Sequence, residues 1–545
     1  MPRTRLGHQS GPTTKSEGNM ELNKTNLSRR AFIGCGAAAA ALTGLAMTGC
    51  SSKPKEEGSA AGEAKVGGGT LTAAVAYDGS DYTPASTSQA LPLAGNRHVT
   101  EALYDLHLAN YTPYPALAAG DPVKVSDTVY EVTLRDGAVF STGDPVTAAD
   151  VVESYKRASV EGGMYASMLS WVASMEAKDD KTVTITTAYP FSLVKERLSL
   201  VRVCPAGMTN EELKAQPVGS GPWKYDAITE MKVSFVPNDK YNGSFPAKDT
   251  AMVWDVIKDN TARTTAITEG TVMVMENVPA DTMPQVEAAG CMVESVQGFS
   301  LPFMMFNTQK APFNDYRVRQ AFFYAINVDK LISNSLSGQA ATVKCFLPEN
   351  HANFHQAKTV FTYDPEKAKA LLAEAGVSSI DMTLDTTDAS WITALSPSIK
   401  EDLAAVGINA ELRQNVSATL YSNYADTGEF DVVLAPGDPS VFGNDPDLLM
   451  NWWYGDNSWT QKRTFWKGDA KYEELHALMH SAVEASGSEQ QDLWNQCFDL
   501  IAEQVPLYPL LHRQVTTAWY DDKIADFAPI GTTGLDFVGA STVSA

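Results

Sequence analysis

Residues 303–332 read FMMFNTQKAPFNDYRVRQAFFYAINVDKLI, and the reading of this stretch decides the fold. Phe303-Met304-Met305-Phe306 is apolar without alternation, as in a strand covered on both faces. Asn307 and Thr308 end the run, and Pro312 marks the turn that follows. Asn314 or Asp315 then offers a short side-chain oxygen that can accept from the free amides of a new helix. Val318, Ala321, Phe322, Ala325 and Ile326 fall at helical spacing, with Arg317, Arg319 and Gln320 expected to turn away from the core. Asn327 or Asp329 can start another helix at Lys330-Leu331-Ile332. Periodicity alone yields a strand, a loop and an amphipathic helix.

Outward from this stretch, the chain is long and acidic. Its 545 residues exceed what one core serves and predict two or three domains. Acidic side chains outnumber basic ones by 65 to 42, a formal charge of −23. That balance excludes nucleic acid as a partner, because neutralising phosphates takes Lys and Arg, and it suits a well-solvated exported surface.

The first 49 residues read as an address. Ser28-Arg29-Arg30-Ala31-Phe32-Ile33 has the twin-arginine export pattern, and a weakly apolar Ala/Gly-rich segment runs from Ala31 to Met47. It is marginal for a spanning helix, which needs about 20 apolar residues. Met47-Thr48-Gly49-Cys50 is similar to a lipobox, so the Cys50 thiol is expected to carry lipid and tether the protein to the outer face of the cell membrane. Met1 and Met20 both remain possible starts, and export by the twin-arginine or the general route stays open. Residues 50–65 lack an apolar period and read as a flexible tether. With Cys35 in the leader and Cys50 acylated, Cys204, Cys291, Cys345 and Cys497 remain, and four cysteines allow three pairings.

Further along, Thr70–Val75 reads as a first strand, and Val99, Ala102, Leu103 and Leu106 as a helical patch. Tyr130, Val132 and Leu134 alternate with polar residues as in a strand, Asp136-Gly137 turns, and Thr147 caps a helix. Val183–Thr186 is another strand. Val218-Gly219-Ser220-Gly221-Pro222-Trp223 is a turn and not a phosphate loop, since no Lys-Ser/Thr follows at the required spacing. Val272, Val274 and the nearby methionines read as a core strand. Asp364, Pro365 and Gly376 form a complete helix start and stop.

The wording of these segments resembles that of family-5 extracytoplasmic solute-binding proteins, the oligopeptide/dipeptide/nickel type that serves bacterial ABC importers. The similarity is carried by Asn307-Thr308, Pro312-Phe313-Asn314-Asp315, Arg317-Val318-Arg319-Gln320-Ala321 and Ala325-Ile326-Asn327. It is also carried by Leu134-Arg135-Asp136-Gly137, by Phe140 to Val151, by Gly219 to Pro222, by Tyr363 to Gly376 and by Glu503 to Leu511. The resemblance spans residues 66–515. It implies an α/β, periplasmic-binding-protein-like fold (type II, cluster C) of two lobes with an inserted subdomain in lobe I. The implied boundaries are 1–49 signal peptide, 50–65 tether, 66–105 lobe I, 106–217 inserted subdomain, 218–299 lobe I again, 300–504 lobe II and 505–545 the return to lobe I.

For function the resemblance implies a monomeric, lipid-anchored binding protein that closes on a solute, a peptide above all, and hands it to a membrane permease. A nickel or other metal chelate, or another polar solute, is the alternative of the same kind, and an exported hydrolase the alternative of another. No nucleophile, base and orienter recur together, so no catalytic residue and no cofactor is assigned. The implied ligand-binding residues are Asp438, Gln89, Ser88, Asn307 and Trp453. Asp438 follows the apolar run Val432–Ala435, and in peptide-binding relatives an aspartate here holds the ligand ammonium; Gly437-Asp438-Pro439 would equally serve as a turn. Trp452, Trp453 and Tyr454 would stack on ligand or pack. No metal site is assigned. His476 and His480 share helical spacing but read as a solvated face, Ala477 stands where a zinc protease carries its Glu, and His351 and His355 lie in a loop.

Overall fold

The computed structural model describes residues 65–544. The segments read as signal peptide and lipid-bearing Cys50, and all but the end of the segment read as tether, lie outside the described residues.

Leu301–Phe306 is buried along its whole length and lies inside a five-stranded sheet. The strand order is Ile408–Asn415, Ile380–Thr387, Val432–Gly437, Leu301–Phe306, Leu507–Pro509. Ile380–Thr387 is parallel to both neighbours, whereas Leu301–Phe306 is antiparallel to both of its own. Asp315 caps the following helix, Tyr316–Ala325, accepting from Arg317 N at 2.9 Å, and Asn327 caps Val328–Ser335, accepting from Lys330 N at 3.0 Å.

One expectation about this helix is corrected. Arg319 and Gln320 do not turn away; Arg319 is 2% exposed and Gln320 is buried as well. Arg319 donates to Gln504 O at 2.6 and 2.8 Å and to Phe313 O at 2.8 Å, while Gln320 donates to Glu503 O at 2.7 Å. Helix Gly487–Gln504 ends there with free carbonyls, and the two side chains satisfy them. An amphipathic pattern does not reveal a second helix arriving end-on.

The other lobe holds an eight-stranded sheet. Its path runs Met292–Gln297, Leu511–Trp519, Val274–Met275, Thr70–Val75, Ala251–Val256, Lys232–Pro237, Trp223–Ile228, and Ala340–Thr342 pairs with Leu511–Trp519 off that path. Ser541–Ser544 pairs with both Lys65–Val66 and Ile524–Ala525 in a small separate sheet. Residues 99–106 depart from the helical reading: the helix is Ala90–Val99, and Tyr104–His107 is a strand in a hairpin with Thr112–Pro115. Between that hairpin and Trp223 lies a four-stranded antiparallel sheet, Val123–Ser126, Val129–Thr133, Thr182–Thr187 and Val172–Ala177. Thr147 and Asp150 form a capping box at its helix Ala148–Ala158.

The inserted sheet interrupts the first lobe in sequence, yet its apolar core is continuous with that of the second. The Tyr165 and Phe442 rings meet edge-on at 5.3 Å, and Arg197 reaches Asp445 at 2.7 Å and Asp447 at 2.5 Å. The first lobe keeps its own core around Trp223, Phe235, Trp254 and Phe537. Two connectors cross between lobes side by side: residues 298–300, and Leu510. Leu510 N donates to Pro302 O at 2.9 Å and Arg513 N to Ser300 O at 2.7 Å. Cys204, Cys291, Cys345 and Cys497 are buried free thiols. Among the described residues no helix is long and apolar enough to cross a membrane.

His98, in the first lobe's core, shows how burial sets a charge state. Its Nε2 accepts from Phe537 N at 2.9 Å and its Nδ1 donates to Ala94 O at 2.8 Å, which fixes the neutral ring. Burial lowers its pKa to about 4. The folded value lies below the unfolded value of about 6.5, so the contribution of the neutral ring is complete above that pH and is lost as pH falls toward 4. The stability advantage of the native chain over His98→Gln is therefore expected to shrink by about 1.4 kcal/mol per pH unit below 6.5. Urea unfolding of both proteins from pH 7 to 4.5 checks this, and a constant difference would refute it.

Candidate functional site

Strand Val432–Gly437 ends at the seam between the lobes and delivers Asp438 there, with Pro439 opening a short turn. The Asp438 carboxylate accepts from Ser440 Oγ at 2.5 Å on its own side. From the C-terminal segment it accepts from Thr533 N at 2.7 Å, Thr533 Oγ1 at 2.9 Å and Thr532 Oγ1 at 3.0 Å. Burial pushes its pKa above the usual carboxylate range, and these four donors pull it back. Asp438 thus stands at the turn that the reading of Gly437-Asp438-Pro439 predicts, and its carboxylate is bonded across the seam.

The loop that meets Asp438 is held from the other side by Glu276. This side chain, 3% exposed, accepts from Gly534 N and from Ala76 N, each at 2.9 Å. Residues 532–534 therefore lie between a carboxylate of the second lobe and a carboxylate of the first. Beside Thr532 and Thr533 is a cavity of about 60 Å³ whose arginines are already neutralised, Arg97 by Asp105 and Asp536, Arg202 by Asp105.

A larger cavity, about 290 Å³, opens where the loop 277–281 and Arg513 of the first lobe face residues 334–339 and 390–394. Its walls are polar: Asn260, Asn277, Gln339, Ser390 and Arg513 among them, with Trp391 as the aromatic element and Asp281 exposed at the wall. Arg513 donates to Asn277 Oδ1, and its guanidinium lies 4.9 Å from the centre of the Trp391 ring. Asn260 Nδ2 meets Ser390 Oγ across the seam at 3.5 Å.

The other sequence candidates are dispersed. Gln89 sits at the N-terminus of helix Ala90–Val99, where its Oε1 accepts from Ser80 N at 2.7 Å and Asp81 N at 3.1 Å; it braces its own loop, and Ser88 beside it is exposed. Asn307 lies at the opposite end of its strand from Leu301, the partner of Gly437, and so a strand length away from Asp438. Its Nδ2 donates to Gly428 O and Phe430 O, both at 3.1 Å. Trp453 is buried beneath the strand end, 5.5 Å from the Phe303 ring. A Cβ at Gly437 would stand 2.4 Å from that indole, so glycine is what lets the strand end lie over it. Trp453 thus supports Asp438 from below. His476 Nε2 contacts Tyr454 O at 2.7 Å and His351 Nε2 contacts Asn444 O at 2.7 Å. No group of three metal-ligating side chains occurs among the described residues.

Sequence reasoning missed Glu276, Asn277, Trp391, Arg513 and the Thr532-Thr533 pair. A signal was present for two of them: Glu276 and Arg513 are charges set directly against apolar runs, VMVM before one and PLYPLL shortly before the other.

Residues 112–461 match the family model described as bacterial extracellular solute-binding proteins, family 5 Middle. A glutathione-binding protein of Pectobacterium atrosepticum is 28% identical over 358 residues, 63% of this chain and 67% of that protein. Among solved structures, the ABC transporter-associated periplasmic binding protein DppA of Helicobacter pylori, in complex with the peptide STSA, is similar. It has a TM-score of 0.77 at 23% identity, covering 88% of this chain and 98% of its own. NikA of Staphylococcus aureus in complex with Ni(L-His)2 has a TM-score of 0.74 at 17% identity, covering 87% and 100%. At such identities the structures speak to the fold, which is the two-lobed α/β periplasmic-binding-protein fold.

Proposed function

We propose, from the premise that this chain belongs to the bacterial extracellular solute-binding proteins of family 5, that it captures a peptide between its lobes and delivers it to the membrane permease of an ABC importer. Cys50 would carry the lipid that keeps it at the membrane, and no chemistry is asked of the chain. Asp438 is the anchor for the peptide ammonium. What supports this reading is the carboxylate at the seam, half-buried and surrounded by N–H and O–H donors. A ligand ammonium can take the place of the Thr532 and Thr533 donors, and a charge-assisted bond is the stronger one.

Asp438→Ala is expected to weaken peptide binding about 10- to 100-fold, the worth of a hydrogen bond to a charged group. Because that change also removes a contact between lobes, Thr533→Ala serves as the companion. It deletes one competing hydroxyl and leaves the carboxylate, so peptide affinity should hold or rise. Native mass spectrometry of solutes released from the purified protein, followed by thermal shift with those solutes, reads both variants. Peptide stabilisation that survives Asp438→Ala would remove the anchor role, and release of only non-peptide solutes would remove the peptide reading.

A further inference from the structure

Asn242-Gly243 is the sole Asn-Gly pair in the chain, and it lies in the segment between strands Lys232–Pro237 and Ala251–Val256. Asn242 is exposed, and its amide joins the first lobe to the inserted subdomain. Oδ1 accepts from Arg135 Nε at 3.0 Å, and Nδ2 donates to Asp136 O at 2.9 Å. Arg135 in turn pairs with Glu101 at 2.8 Å, and its guanidinium lies 5.6 Å from the centre of the Tyr241 ring.

Local packing accounts for the glycine. Tyr241 folds back over it, its hydroxyl accepting from Phe245 N at 3.3 Å. A Cβ at Gly243 would stand 2.5 Å from the ring carbon that bears this hydroxyl. The same glycine leaves its own backbone amide bare: Gly243 N makes no hydrogen bond among the described residues. A backbone nitrogen with neither a side chain beside it nor a hydrogen bond to hold it is a ready nucleophile toward the preceding asparagine amide.

We propose that Asn242 is a site of spontaneous deamidation, paced by the seat of the inserted subdomain on the first lobe. Gly243 N gives its proton to solvent and attacks Asn242 Cγ. A C–N bond forms, the Cγ–Nδ2 bond breaks, and Nδ2 leaves as ammonia with a proton returned from water. Water then adds to either carbonyl of the five-membered imide, and the ring opens to aspartate or isoaspartate. One water is taken up and one ammonia released, with no change of oxidation state. Ring closure turns the side chain toward its own backbone, so the bonds to Arg135 and Asp136 must break first. Two hydrogen bonds, one of them from a charged donor, should slow the step by about 10- to 100-fold.

Conversion also runs one way. A carboxylate at this position cannot donate to Asp136 O, so two oxygens face each other where the amide bond stood. It also competes with buried Glu101 for Arg135. A joint that has once opened and reacted is left weaker.

The test is peptide mapping by mass spectrometry of the whole protein held in mildly alkaline buffer, with isoaspartyl forms separated by chromatography. Asn242 should convert faster than any other asparagine of the folded protein, yet about 10- to 100-fold more slowly than in the urea-unfolded chain. In Arg135→Gln most of that protection should vanish, and Arg135→Lys, which keeps a cation beside Glu101, should give an intermediate rate. Asn238, buried in the same segment, should stay intact in both variants, so general loosening of the lobe would show itself there. Asn242→Asp, which supplies the product outright, should unfold at lower urea than the native protein. Conversion of Asn242 no faster than that of the other asparagines overturns the site. Equal rates in native and Arg135→Gln proteins, or conversion of Asn238 in step with Asn242, overturn the pacing by this joint. An unchanged urea midpoint in Asn242→Asp overturns the one-way weakening.

Discussion

Arg197→Met is expected to cost about 3–5 kcal/mol of folding stability, as when one partner of a buried charge cluster is removed. The guanidinium is 1% exposed and donates to Asp445 at 2.7 and 3.1 Å, to Asp447 at 2.5 Å and to Met168 O at 2.9 Å. Asp445 is also the cap of helix Pro446–Tyr454, accepting from Leu448 N at 2.9 Å, and burial already pushes Asp447 above the usual carboxylate range. Methionine matches the length of the stem and leaves two carboxylates without their cation in an apolar seam. Asp447, already raised by burial, would then bind a proton still more readily in the folded than in the unfolded chain, so the loss should shrink as pH falls into the carboxylate range. Urea unfolding of Arg197→Met at pH 7 and pH 5 tests this, and adding Asp447→Asn should recover part of the loss. A loss below 1 kcal/mol, or one independent of pH, would show that solvent reaches the cluster after all.

Gly298→Ala should be comparably severe for a steric reason. Gly298 lies on the first crossing between lobes, and a Cβ placed there would fall 1.4 Å from Gly531 O. The obstacle is backbone and cannot rotate away, so one segment must move by roughly 2 Å, beyond what ordinary overpacking, at about 1–3 kcal/mol, demands. The cost should therefore be at least 3 kcal/mol. Gly531 begins the loop that carries Thr532 and Thr533, so whatever stability survives should come with weakened solute binding. Gly531→Ala is the control: a Cβ there meets its neighbours at 3.1 Å or more, and its cost should stay near 1 kcal/mol. Denaturation of the two variants together with thermal shift separates the outcomes. Equal losses would mean that the crossing is not closely packed.

The sequence carried the two-lobed fold because the information was local. A strand such as Leu301–Phe306 declares itself by an unbroken apolar run, and Asp315, Asn327, Thr147 and Asp364 declare helix starts through atoms within three residues. The place of Asp438 was legible for the same reason, at the end of such a strand. The rest of the site was not, because its partners are remote in the chain. Glu276 meets Ala76 and Gly534, and Arg513 meets Asn277 and Trp391, with hundreds of residues between several of these pairs. Arg319 was misread for a related reason: its polar character was correct, but the carbonyls that receive it belong to residue 504. Asn307 stands in the most recognisable wording of the chain, yet its amide holds residues 428 and 430 in place.

The order of strands in the larger sheet also bears on how the chain is made. Thr70–Val75 pairs with residues 251–256 and 274–275, and the sheet further includes Leu511–Trp519. Lys65–Val66 finds its partner only at Ser541–Ser544. A nascent chain can assemble most of the five-stranded sheet from residues 301–437, whereas Thr70–Val75 stays unpaired until at least residue 251 has been synthesised. Contacts so distant in sequence are slow to form and leave apolar strands exposed meanwhile. The lobe that begins first is thus the one that finishes last.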